Sequence, residues 1–411
     1  MITDLIKKRD SNRMILLRER LVCTFFGIYT FLMFSSLVYA NWIKPYDFMF
    51  SPLPKIAAIV LIVGCCLSVL MRTASQSYFV YFFLIFLGLL VKQVSTLAFP
   101  LWVFVMLLMV SKVDFSKLVK VFFYVNGSLT CVTIVLGYFN LIPTFFSPRG
   151  IAPDGTVLLR QALGFNWVTL PAQVFFYLVL AYIMIKKGKL SFSALAIISG
   201  ISLFLYVETN TRNPFILEIL IVLIFLLLKS PLHHFLMRIF HSKLFGWTGI
   251  LIFPVLTFLS VFFATIGTNG GFMKIFDHLM SGRFALAHQG VERYGISLFG
   301  KQIIFNTYRP DRPLRGSYFY LDNSYIQYLL NFGLIMLFII ILLISLALYV
   351  QYQGKKWYVL LIFILIALHS FSDPQLIYLQ YSPFILIIDS VIDRVRFDFP
   401  KKVHWRMISS E

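Results

Sequence analysis

The chain has 411 residues, of which 59% are hydrophobic and 13% charged, with 45 phenylalanines. No soluble fold of this length hides so much apolar surface in one core, so the composition excludes a soluble domain and indicates a polytopic membrane protein. The formal net charge of +19 does not indicate nucleic acid, because the lysines and arginines stand in short clusters between apolar runs, where they act as topology signals.

The opening residues 1–20, MITDLIKKRDSNRMILLRER, form a basic segment expected on the cytoplasmic side, leading into an uncleaved first span at 21–41. At about 17 to 25 apolar residues per span, further runs lie at 54–71, 77–92, 95–111, 118–141, 166–185, 190–207, 214–229, 246–267, 324–350, 357–372 and 376–392. The expected fold is therefore all-α, a single membrane domain over 1–411 with about twelve transmembrane helices. Cys23, Cys65, Cys66 and Cys131 all fall inside these runs and read as small core residues, without metal-ligand or disulfide spacing.

Charge supports the same topology. With a cytoplasmic N-terminus, the inside connections are MRTASQ, SKVDFSKLVK, KKGK, KSPLHHFLMRIFHSK, QGKKW and a basic tail at 393–411, all of them positive. The short outside connections carry few positive charges, as the positive-inside rule requires. Both termini are thus expected inside. The connection at 267–323 is the exception, a long external loop holding Lys274, Arg283, Arg293, Lys301, Arg309, Arg312 and Arg315. Long loops translocate whatever their charge, so its basicity has either a functional reason or none at all.

Three segments hold residues suited to chemistry. In VETNTRNPF, 207–215, Pro214 suits a first helical turn with Asn213 or Thr211 as its cap, Arg212 stands at the lip of the bundle, and Glu208 is placed to pair with it. Glu218 lies about one turn into the next apolar helix, where a carboxylate is expensive and calls for a polar partner. In SGRFALAHQGVERYGISLFG, 281–300, apolar positions recur every three or four residues and predict a short helix whose N-terminus is at Arg283. Free N–H groups and a guanidinium there suit a phosphate, and the alternative is an amphipathic surface helix whose arginines meet lipid headgroups.

In YLDNSYIQYLLNFG, 320–333, Asp322, Asn323 and Ser324 are all good N-caps, and Asp322 is alternatively a general base with Asn323 and Tyr325 as hydrogen-bonding neighbours. His369 and Asp373, in ALHSFSDPQL, are expected at the outer end of another helix, either lining the same cavity or, for His369, as a buried hydrogen-bonding group. The chain has no phosphate-binding Gly-rich loop, HExxH or nucleophile elbow.

The ordered set TRNPF at 211–215, SGRFALAHQGVERYGISLFG at 281–300 and DNSYIQYLLNFGLI at 322–335 resembles the bacterial polysaccharide polymerase family related to the O-antigen ligases. The resemblance covers mainly residues 205–340. It implies a GT-C-type membrane fold and a metal-independent, cofactor-free, inverting glycosyltransferase of the bacterial cytoplasmic membrane. Such an enzyme joins undecaprenyl-pyrophosphate-linked oligosaccharide repeat units of capsule, exopolysaccharide or O-antigen on the outer face. The implied partners are that lipid-linked donor, membrane lipid, and the flippase and chain-length regulator of the pathway.

By position, Arg212 and Arg283 correspond to the family's donor-binding arginines. Asp322 stands where the ligases carry histidine, which favours a polymerase, and Glu208 and Glu218 are its rivals as base. Arg293, Arg315, Asn323, Tyr325, Glu218 and His369 complete the expected substrate contacts. The alternatives are ligase-like transfer to another acceptor and, from a different class, a lipid-linked glycan flippase or other twelve-helix transporter.

Overall fold

The computed structural model of the protein describes residues 2–43, 46–71, 77–151, 157–267, 270–307 and 316–394. In chain order the helices are α1 (Ile2–Phe34), a single turn α2 (Asp47–Phe50), α3 (Leu53–Leu70), α4 (Ser77–Ser95), α5 (Phe99–Val110), α6 (Phe115–Tyr138), α7 (Leu170–Ile185), α8 (Phe192–Thr209) and α9 (Arg212–Leu227). They continue with α10 (His233–Phe240), α11 (Lys243–Ile266), α12 (Gly271–Leu279), α13 (Arg283–Tyr294), α14 (Ser324–Gln353), α15 (Trp357–Ser370) and the short α16 (Asp389–Ile392). Between α6 and α7 an antiparallel hairpin pairs β1 (Phe146–Ile151) with β2 (Val157–Gln161), a local departure from the all-α expectation.

Among the described residues, seven helical segments are long and apolar enough to cross a membrane: Arg13–Leu37, Asp47–Leu70, Ser77–Ser95, Phe115–Tyr138, Phe192–Thr209, Lys243–Ile266 and Ser324–Gln353. Shorter apolar helices α5, α7 and α15 pack among them. The protein is therefore a membrane-embedded helical bundle. Its outer helices turn large apolar side chains outward, including Phe79, Phe258, Phe338 and Leu244, which suits a hydrocarbon surround. Cys66 and Cys131 are also on this outer surface, so of the four cysteines only Cys65 is fully buried. In contrast, α7 is buried on nearly all sides, from Leu170 to Met184.

The predicted span at 376–392 is not a helix. Pro383 interrupts it, because it lacks an N–H and its ring clashes with the preceding turn. Residues 374–388 form turns and a short 3₁₀ segment, Phe384–Ile388, before α16. This stretch runs beside α15 toward its opposite end, where Asp389 lines a cavity with Lys112, Gln351 and Lys356.

Irregular backbone inside an apolar bundle must find its partners within the protein. Here Tyr328 Oη accepts from Ile377 N at 3.0 Å and donates to Pro374 O at 3.0 Å, and Asn126 Nδ2 donates to Gln380 O at 3.3 Å. At the far end, Asp389 accepts from Tyr81 Oη and from Lys112 N, while Arg18 Nη2 donates to Ser111 O at 2.6 Å. The basic connections gather at this end as well. Gly188 abuts Trp357, and Phe240 stacks on the same ring.

A second break falls within α14, at Gly333, where φ is 85°. The loop strand Ser297–Lys301 enters the gap: Lys301 N donates to Leu330 O, Leu334 N to Ser297 O and Ile335 N to Leu298 O. The loop thus supplies the hydrogen bonds that the broken helix lost. A Cβ at Gly333 would strike Leu298 O, and one at Gly300, also at positive φ, would strike Asn331 O. Gly333→Ala and Gly300→Ala are each expected to destabilise the protein by about 2 kcal/mol or more. By contrast, Gly200→Ala, a helical position with nothing within 4 Å, should stabilise by about 1 kcal/mol. Thermal unfolding in detergent checks all three.

Candidate functional site

The site is built where α7, α9, α13 and α14 begin and α15 ends. Asn323 is the N-cap of α14: its Oδ1 accepts from Ile326 N at 3.1 Å, and its Nδ2 donates to Ser260 Oγ and Phe371 O. Ser324 Oγ donates to Asp373 O at 2.5 Å. Together these bonds tie the start of α14 to the segment leaving α15, and so bring Asp322 and Asp373 to one place.

Asp322, half-buried, accepts from Arg283 Nε at 3.3 Å. Withdrawal from water pushes its carboxyl up to about 6, against the pull of Arg283 and with a smaller upward push from Asp373. Asp373 is buried and also pushed up to about 6 by burial, which the Arg283 charge and hydrogen bonds from Asn213 and Gln173 oppose. Its Oδ1 accepts from Gln173 Nε2, and its Oδ2 from Asn213 Nδ2 at 2.9 Å. Gln375 Nε2 in turn donates to Gln173 Oε1 at 2.5 Å.

His369 is fully buried against Phe176 and Tyr177. Its Nδ1 lies 3.0 Å from Asn213 Nδ2 and 3.6 Å from Asp373 Oδ2. The Asn213 amide has two N–H donors and lies within reach of both neighbours. His369 therefore positions Asn213 and Asp373 from behind and does not reach the cavity.

In front of the two carboxylates is a cavity of about 280 Å³. Six aromatic residues line it, Trp42, Trp167, Tyr318, Tyr320, Tyr378 and Tyr381, with the amides of Asn166, Gln173 and Gln375. Such a wall offers flat apolar faces edged by donors and acceptors.

The expected phosphate cradle at the N-terminus of α13 is already filled. Asp277 Oδ1 accepts from Phe284 N at 2.9 Å and from Ala285 N at 3.2 Å, a carboxylate cap on the positive end of the helix. Arg283 remains as the cation there, aimed at Asp322. The apolar face of α13 packs on protein, with Phe284 against Phe263 and Phe371 and Gly290 beneath Leu321 and Leu330. His288 fastens it to α11 through Ala264 O at 2.7 Å. The helix is thus no free surface helix.

The other predicted residues divide clearly. Arg212 is exposed on the first turn of α9, adjacent in sequence to Asn213, and Glu208 is half-buried at the end of α8, with no ion pair between them among the described residues. Glu218 is buried deeper along α9, facing Ser202 of α8, away from the cavity. Arg293 is exposed and lies over the Tyr294 ring. Tyr325 is fully buried, donating to Ala367 O, so Tyr325 and Asn323 hold the site together from the protein side, not as substrate ligands. Arg315 lies outside the described residues.

Gln173, Asn166 and Gln375 were not singled out in the sequence, and of the two cap candidates, Asn213 and Thr211, it is Thr211 that stands at the N-cap of α9. A glutamine one turn into an apolar helix, as in LPAQVFF, is the signal that finds Gln173, by the same argument that singled out Glu218.

Replacing Asp277 with alanine should cost about 1 to 2 kcal/mol and loosen the first turn of α13. Hydrogen exchange at Phe284 and Ala285 should then speed up while the amides of α15 are unchanged. No family model matches the chain, and no curated protein or solved structure matches it either.

Proposed function

We propose that the protein is a polysaccharide polymerase, transferring a lipid-linked oligosaccharide to the hydroxyl of another at the Asp322 end of the bundle. The observation that carries this reading is the Arg283–Asp322 pair at 3.3 Å, set at a small aromatic and amide-lined cavity at one end of a membrane bundle. The ordered motifs resembling bacterial polysaccharide polymerases contribute Arg212, Arg283 and Asp322 to that same end. The basic connections collect at the other end, an arrangement that suits cytoplasmic termini and an outward-facing site.

In the proposed reaction Asp322 accepts the proton of the acceptor hydroxyl as its oxygen forms a bond to the anomeric carbon of the donor. The bond from that carbon to the pyrophosphate oxygen breaks on the opposite face, its electron pair leaving with the pyrophosphate, so configuration inverts. Once protonated, Asp322 no longer neutralises Arg283, and the full guanidinium charge becomes available to the departing anion. Preorganised charge of this kind is worth several kcal/mol in a water-poor site. Arg212, exposed beside Asn213, extends the cationic surface toward the lipid. Asp373, held by Asn213 and Gln173, keeps its place behind Asp322.

The test is chain growth from purified protein and an undecaprenyl-pyrophosphate-linked repeat unit, read as a ladder on a gel. Arg283→Ala and Asp322→Asn are each expected to lower extension about 100-fold or more, with unchanged membrane insertion and melting, and Arg283→Lys to retain part of it. Full-length product from well-folded Arg283→Ala protein would sink the assignment. Because Asp322 acts as a base with its carboxyl pushed up to about 6, the rate should fall as pH drops through that value and level off above it. A rate that rises on acidification would make Asp322 an acid instead.

A further inference from the structure

We infer that the cavity in front of Asp322 and Asp373 is an acceptor subsite for one sugar ring that carries no carboxylate. The inference rests on the glycosyl-transfer reading above and adds the charge class of the acceptor. Its size is the first argument. At about 280 Å³ it lies just below the roughly 300–1,000 Å³ usual for ligand pockets, which suits a single ring in place of a longer chain.

Chemistry is the second argument. A pyranose ring shows apolar C–H faces and a rim of hydroxyls, and this wall pairs aromatic faces with amide and carboxylate edges. Gln173 and Gln375 are held by the hydrogen bonds that lead to Asp373, so their orientation is set before a ligand enters.

Charge decides the class. Among the described residues lining the cavity, the charged side chains are Asp322 and Asp373, and Arg283 stands outside the lining. A uronate ring would bring its carboxylate against Asp373 and the Arg283-paired Asp322, a set of net negative charge in a poorly hydrated space, where like charges repel. A neutral or amino sugar meets no such penalty. The basic external loop suits an anion, whereas this cavity suits the opposite.

The test uses the full chain in nanodiscs at pH 7.5, titrated with two panels of trisaccharides. One panel is neutral, built from N-acetylglucosamine, galactose or mannose, and the other contains galacturonate or glucuronate. Binding is read by ligand-observed NMR and by tryptophan fluorescence, since Trp42 and Trp167 line the cavity. At least one neutral trisaccharide should bind saturably, and every uronate about tenfold or more weaker. In Asp322→Asn/Asp373→Asn protein with an unchanged melting profile, the gap should shrink. A uronate binding as tightly as the best neutral sugar would overturn the charge inference and leave the glycosyl-transfer reading standing. Folded protein that binds neither panel would overturn both.

Discussion

The constraint on which this structure depends is that backbone polar groups inside an apolar bundle must be paired by the protein itself. Two segments break helical geometry within it, the kink at Gly333 and the irregular run from Pro374 to Ile388. Each is paired by the other or by the loop that precedes α14. The first half of α14 sends Ser324 and Tyr328 to the irregular run, and the loop strand fills the gap at Gly333. An unpaired peptide group there would cost several kcal/mol, so the interlocking arrangement leaves little freedom.

That interlock also makes the site. Asp322 precedes the N-cap of α14 and Asp373 follows α15, and the hydrogen bond from Ser324 Oγ to Asp373 O joins the two turns. The carboxylates are neighbours because the backbones carrying them are bonded together. Arg283 arrives from a third direction, on a helix whose positive end is capped by Asp277 and whose apolar face is packed on α11 and α14. One guanidinium therefore stands near two carboxylates, and withdrawal from water raises the affinity of both carboxylates for protons.

The two ends of the bundle differ in the kind of polarity they hold. At the site, the polar groups face a cavity. At the opposite end, Arg18, Tyr81, Ser111 and Asp389 bond mainly to one another and to backbone, fastening the end of the irregular run to α1, α4 and the α5–α6 turn.

Hydropathy in the sequence was enough to locate the apolar helices, because a run of apolar residues has one consequence in a bilayer wherever it occurs. The helix at Arg283 was visible in its three- and four-residue spacing, and Asp322 in its position before a capping asparagine. Hydropathy alone misread 376–392 as a span, although Pro383 was there to be weighed. The partners of each polar residue depended on distance across the fold. Asn213 looked like a cap and instead bridges His369 and Asp373, Asp277 was unremarked and instead occupies the end of α13, and Gln173 lies 200 positions from the Asp373 it binds. Composition and periodicity determined by themselves that this chain enters a membrane as helices, since burial of apolar surface is local and additive. Only the tertiary structure decided which polar groups meet, since hydrogen bonds and ion pairs are short-ranged and directional and join residues that the chain order keeps apart.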